Sequence, residues 1–169
     1  NYHTFQPLLY QVATAGLNAA DVGYAVRGLF RRQRRVLFRK GMVTGVDHIW
    51  SFDDAYAVMA LEGLDTNNDG KYDQAELEPL LKVNMDGLKD FNYFTVAKLG
   101  SETLQFSPPE NAHLEYTNKV LKLHFHLSLV KPVFSDAQGL TIAVFDPSYF
   151  IAFEPEATIA LPTAKIAVM

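Results

Sequence analysis

A run of twelve residues at positions 65–76, DTNNDGKYDQAE, constrains this chain more than any other feature. Side-chain oxygens recur at alternate positions, one glycine stands in the middle and a glutamate closes the run. That is the spacing of an EF-hand calcium loop. Asp65, Asn67 and Asp69 fill the first three ligand positions, and Gly70 falls where the chain must turn sharply with φ positive. Lys71 offers only its backbone carbonyl, Asp73 binds through water, and Glu76 gives both carboxylate oxygens. Ca²⁺ is large and hard and takes about six to eight oxygens from a flexible loop, whereas Mg²⁺ wants a tight octahedron that a bidentate glutamate opposes. The same residues have a purely structural use: a turn over 65–70, then a capping box from Asp73 and Glu76. The two uses are compatible. Tyr72 stands where paired hands carry a small branched aliphatic, and the chain has no second loop. A structural or slowly exchanging Ca²⁺ is therefore expected rather than a two-site switch.

Such a loop needs a helix on each side. Before it, Asp53 or Asp54 can cap a helix in which Tyr56, Met59, Ala60, Gly63 and Leu64 recur at helical spacing. After it, Leu77, Leu80, Leu81, Val83, Met85 and Leu88 give a helix over 74–88. The rest of the chain reads at period two. Val36, Leu37 and Phe38 form a strand, Lys40 and Gly41 a turn, and 43–52 a second strand rich in β-branched and aromatic residues. Further strands are expected near 92–98, 102–106, 111–117, 120–130, 139–146 and 149–153, divided by glycine, proline and asparagine. Twelve Phe and eight Tyr fit this β-rich reading. The expected class is α+β: a mostly antiparallel, sandwich-like β-domain with one EF-hand-like helix–loop–helix inserted at 53–89.

At 169 residues, 49% of them hydrophobic, one domain is the default, placed at 36–155 between an extension over 1–35 and a tail over 156–169. The absence of cysteine excludes disulfides, zinc–thiolate sites and iron–sulfur clusters. No apolar run has the roughly 18–20 residues that a membrane-spanning helix needs. The net charge of −4 hides an asymmetry: residues 1–40 carry seven basic groups and only one acid, Asp21. The acidic body argues against nucleic acid as a partner, and none is expected. The RRQRR cluster at 31–35 reads as a solvated arm or an arginine-faced helix, or as a phosphate- or membrane-binding patch. Ala19, Val22, Ala25, Val26, Leu29 and Phe30 before it suit a short amphipathic helix.

Asn118 and Lys119 suit a two-residue hairpin turn that pairs Thr117 with Val120, Glu115 with Lys122 and His113 with His124. Leu114, Tyr116, Leu121, Leu123, Phe125 and Leu127 then share one face. His113, His124 and His126 share the other with Glu115 and Lys122, where imidazoles can converge on an ion of Zn, Cu, Ni or Co character or simply alternate on a solvated surface. His48 reads as an isolated strand residue. No phosphate loop, G-x-S-x-G elbow or H-E-x-x-H occurs, so no enzymatic activity is expected.

The run GMVTGVDHIWSFDDAYAVMALEGLDTNNDGKYDQAELEPLLKVNMDGLKDFNYFTV, then LKLHFHLSL, then VFDPSYFIAFE, resembles one bacterial family of unknown function across about residues 36–155. The resemblance implies a periplasmic, membrane-associated component of an ABC-type transport system of the nickel/cobalt-permease kind. Its partner would be a membrane permease and its cargo a divalent transition metal. The family's N-terminal His-Pro-His strand has no counterpart here, since RRQRRVLFRKG stands in its place and the nearest N-terminal histidine is His3. The first 35 residues accordingly read as a lineage-specific extension or an anomalous gene start. A second reading has the basic N-terminal arm docking to a membrane or larger protein complex, with the calcium-stabilised body as scaffold.

Overall fold

The structure, a computed structural model, describes residues 30–145 and 153–155, with side chains described over 35–145. The expected helix over 19–30 apart from Phe30, most of the strand expected at 149–153 and the tail over 156–169 lie outside the described residues. In chain order the elements are β1 (Phe30–Arg39), β2 (Met42–Phe52), α1 (Asp54–Leu61), α2 (Gln74–Lys89), a 3₁₀ turn (Asn92–Phe94), β3 (Thr95–Leu99), β4 (Glu102–Leu104), β5 (Glu110–Thr117), β6 (Val120–Phe134), β7 (Leu140–Val144) and β8 (Phe153–Pro155). The class is α+β with a β-rich body. A five-stranded sheet has the order β5-β6-β2-β1-β8, antiparallel except where β8 runs parallel to β1, and a three-stranded antiparallel sheet has the order β4-β3-β7.

The β5–β6 hairpin follows from its turn. Asn118 and Lys119 both take the left-handed backbone, φ 54° and 65°, as a two-residue I′ turn requires. Thr117 meets Val120, Glu115 meets Lys122 and His113 meets His124, the register read from the sequence. Lys40 and Gly41 (φ 51° and 77°) turn β1 into β2 in the same way.

The five-stranded sheet buries one face under two different covers. Trp50, Phe52, Leu114, Leu121, Leu123 and Leu127 pack against Tyr56, Ala57 and Leu61 of α1 and Leu77, Leu80 and Leu88 of α2. Further along the same strands, Val36, Val43, Val46 and Leu129 pack against Ala97, Leu140 and Ile142 of the small sheet. The sandwich is thus confined to one end of the sheet, and the helix pair closes the other. Each large side chain buried in this way contributes about 1.5–3 kcal/mol.

β1 departs from the sequence reading. It begins at Phe30 rather than Val36, so the arginine run is strand and not arm or helix, with Arg31 opposite Ser51, Arg34 opposite His48 and Arg35 opposite Asp47. Backbone pairing with the long β2 on one side and β8 on the other outweighs the low strand preference of a charged run.

β2 and β6 approach unusually closely at Gly45. A Cβ there would lie 2.4 Å from the Leu127 carbonyl oxygen, so a side chain would force the strands apart. The register also shifts at this point, Gly45 pairing with Ser128 but Val43 with Val133. Between them β6 pairs instead with the segment after β4, through Ser107 N–H to Ser128 O at 2.8 Å and Val130 N–H to Gln105 O at 3.0 Å. Pro132, which has no N–H to give, falls inside this irregular stretch.

Candidate metal centre and the polar sheet face beside it

Asp53 caps α1 by accepting from the Tyr56 amide at 2.7 Å, and Asp54 stands in the first turn. Asp73 and Glu76 form the capping box that opens α2: Asp73 Oδ1 accepts from Glu76 N–H at 2.9 Å and Glu76 Oε2 from Asp73 N–H at 3.1 Å. The helices are held together inside the core, where Tyr56 donates its hydroxyl proton to Asn84 Oδ1 at 3.2 Å and Asn84 Nδ2 donates to Leu80 O at 2.8 Å. Burial pushes the Tyr56 hydroxyl up to about 12, against a smaller downward pull from Asn84.

Between the helices the loop winds around its own carboxylates. Asp65 accepts from Asp69 N–H (3.1 Å) and Gly70 N–H (3.0 Å), Asn67 Oδ1 from Asp69 N–H (2.8 Å), and Asp69 Oδ1 from Lys71 N–H (2.8 Å). Gly70 has φ 76°, the turn its place in the pattern demands. Glu76 reaches back across the loop, Oε1 accepting from Thr66 N–H at 2.9 Å, Thr66 Oγ1 at 3.0 Å and Asn67 N–H at 3.4 Å. The first and last ligand positions of the pattern are therefore tied into one closed loop. Its donors are all oxygens, four of them carboxylates, a set that fits Ca²⁺. As they stand, these carboxylates are turned to backbone amides, and no three His, Asp or Glu side chains among the described residues are arranged to hold an ion. Binding Ca²⁺ would exchange part of the Glu76 hydrogen bonding for coordination.

The Asp73 amide, followed by the Thr66 hydroxyl and the amides of Thr66 and Asn67, holds the Glu76 carboxyl below the usual glutamate range, against an opposing push from burial. A native pKa below the unfolded one contributes stability above the unfolded value, and that stability is lost as pH falls through the native value. In chelator, the melting temperature is expected to drop as pH is lowered through and below about 4.3, the ordinary glutamate pKa. Glu76→Gln should flatten that part of the profile, as thermal melts across the acid range would show.

The loop is fastened to the hairpin. Gln74 Nε2 donates to Leu114 O at 2.8 Å, and Tyr72 meets Tyr116 edge-on with ring centres 5.3 Å apart. Leu114 lies between His113 and Glu115, which point to the sheet's other face. There His113 and His124 stack, ring centres 4.6 Å apart and 11° from parallel. His124 Nε2 is buried and lies 3.2 Å from Glu115 Oε2. Burial, then the neighbouring His113, lowers the His124 pKa more than Glu115 raises it, favouring the neutral imidazole that a metal needs. A bulge near Asn111, which takes φ 55°, lets its carbonyl bind His113 Nδ1 at 2.9 Å.

His126 does not join this pair. Its Nδ1 lies 2.8 Å from Asp47 Oδ1 and its Nε2 2.9 Å from Ser128 Oγ, so both ring nitrogens are engaged along β2 and β6. The hairpin register places all three histidines on one sheet face, and in the structure His126 turns its ring to Asp47 and Ser128 while His113 and His124 stack. The arrangement of Asp47, His126 and Ser128 was missed in the sequence, where H-x-S on one strand face was the available signal. His48 is in the core, 1% exposed, stacked on Phe125 and 3.2 Å from Thr95 Oγ1.

A family model described as a protein of unknown function, DUF1007, matches residues 30–165, from the first residue of β1 past the end of β8. The chain belongs to the DUF1007 family. This DUF1007 chain is 30% identical over 100 residues to an uncharacterised 15.5 kDa protein from the trpE 3' region of Spirochaeta aurantia, a match covering 57% of this chain and 70% of that protein. A 45-residue stretch is 47% identical to the type II NADH:quinone oxidoreductase NdhA of Mycobacterium tuberculosis, taking in 27% of this chain and only 10% of that enzyme. No solved structure matches. Among the described residues no helix is long and apolar enough to cross a membrane.

Proposed function

We propose that this chain is a calcium-stabilised binding or accessory protein of a divalent-metal transport system, working at the periplasmic side of a membrane permease. The observation that carries the reading is the closed loop at 65–76. Its oxygen donors stand in the calcium-loop spacing between two helices, and a glutamate from the second helix spans the loop. Ca²⁺ held by Asp65, Asn67, Asp69, the Lys71 carbonyl, Asp73 and Glu76 would cross-link α1 to α2 through the loop. The resemblance to metal-transport components supports the rest, together with the stacked rings of His113 and His124 beside Glu115. Two imidazoles and a carboxylate, once turned toward a common point, would suit a borderline transition ion such as Zn²⁺, Ni²⁺ or Co²⁺. No enzymatic step enters this reading. The short likeness to a quinone oxidoreductase spans a tenth of that enzyme and lends no reaction.

Calorimetric titration of Zn²⁺, Ni²⁺ and Co²⁺ into Ca²⁺-loaded protein tests the transport part. One ion per chain is expected, with affinity falling at least tenfold in His113→Ala and His124→Ala and little changed in His126→Ala. Uptake should weaken as pH falls and the imidazoles take up protons. Absence of uptake, or equal isotherms in all variants, would remove the metal-handling role.

A further inference from the structure

Asp47, His126 and Ser128 are brought together by strand register alone. Asp47 on β2 is the direct partner of His126 on β6, and Ser128 is the next residue of β6 on the same face. Asp47 Oδ1 lies 2.8 Å from Nδ1 of the ring, and Nε2 lies 2.9 Å from Ser128 Oγ. A carboxylate only accepts, so Nδ1 carries the proton in the neutral ring and Nε2 turns its lone pair to the serine hydroxyl. This order, carboxylate to imidazole to hydroxyl, lets an imidazole take the proton of an attacking serine. The His126 side chain is 15% exposed and that of Asp47 40%, so the imidazole is sheltered without being closed off from solvent. Gly45, the partner of Ser128, makes the arrangement possible: a Cβ there would lie 3.0 Å from His126 Cε1 and 3.1 Å from Ser128 Cα. Neither the calcium loop nor the His113–His124 pair uses any of these three side chains.

We propose that Ser128 is an activated nucleophile that accepts the acyl group of small, activated carboxylic esters. This goes beyond the binding role above and does not depend on it. Ser128 Oγ attacks the ester carbonyl carbon while His126 Nε2 takes the hydroxyl proton. The new Oγ–C bond forms, the bond from that carbon to the leaving alkoxide or phenolate breaks, and the leaving oxygen receives the proton from Nε2. Water then attacks the acyl-serine with His126 again accepting a proton. The Oγ–C bond breaks, a carboxylic acid departs and Oγ regains its proton. Asp47 is a positioning residue that fixes the ring and balances the imidazolium.

The test treats the full chain with p-nitrophenyl acetate and, separately, with a fluorophosphonate probe, and maps the modified residue by peptide mass spectrometry. One adduct is expected, on Ser128, formed at least about 10²-fold faster in the native protein than in urea-unfolded protein. S128A should carry none. H126Q should slow the reaction by about 10²-fold, and D47N should slow it while D47E restores part of the rate, all with melting temperatures near wild type. The proposal is overturned by no adduct on Ser128, by modification of lysines alone, or by equal rates in native, unfolded and H126Q protein. The native-against-unfolded comparison needs no variant, so the outcome stands even if a variant folds poorly.

Discussion

Removing Ca²⁺ is expected to lower the melting temperature of the wild-type chain by about 5–10 °C. A ligand that binds only the native state adds RT ln(1 + [L]/Kd), about 2.7 kcal/mol at a hundredfold excess over Kd. For a domain of this size each kcal/mol moves the midpoint by roughly 2–4 °C. Stability would be gained because a bound ion would tie Asp65, in the loop after α1, to Glu76, in the first turn of α2, across a loop already closed by hydrogen bonds. Those hydrogen bonds persist without the ion, so chelation should loosen the loop rather than unfold the domain. Glu76→Gln keeps the size of the side chain but gives up its charge and one strong acceptor, and should leave the midpoint insensitive to chelator. Paired thermal melts of wild type and Glu76→Gln, with Ca²⁺ and with chelator, measure the effect.

Trp50→Ala should cost about 3–5 kcal/mol, the usual loss for a large aromatic removed from a core. Trp50 is 1% exposed and sits where β2, β6 and the 3₁₀ turn meet, its ring centre 5.0 Å from Phe125, 6.3 Å from Phe94 and 5.8 Å from His48. The cavity would open beneath the helix pair, where the sheet has no second sheet to collapse against it. By the same conversion the midpoint should fall by about 6–20 °C. Trp50→Phe fills most of the space and should cost far less. Since Trp50 is the chain's single tryptophan, urea unfolding followed by circular dichroism is the appropriate measurement.

The parts of the fold legible in the sequence are those fixed by neighbours in the chain. Asn118 and Lys119 set a turn, the turn sets a register, and alternation from Leu121 to Leu127 says which face is buried. The caps at Asp53 and Asp73 were readable for the same reason. Long-range pairing was not. Nothing local marks Phe30 as the start of a strand, because the arginines that follow are held by pairing with β2 and β8. The division of one sheet face between a helix pair and a small sheet likewise depends on packing between distant segments. At the candidate sites the contrast is sharper. Asp65, Gly70 and Glu76 act within one loop, and their spacing is the information. His126 belongs with Asp47, 79 positions away, through a β2–β6 register that shifts at Gly45, and no pattern within either strand fixes that shift.

The central claim is that the loop at 65–76 binds one Ca²⁺ through the donor set described above, and calorimetric titration of Ca²⁺ into chelator-stripped full-length protein tests it most directly. The expected result is one ion per chain in wild type, a much weaker response to Mg²⁺, and no binding heat in Glu76→Gln. No binding at millimolar Ca²⁺, or the same isotherm in wild type and Glu76→Gln, would contradict it.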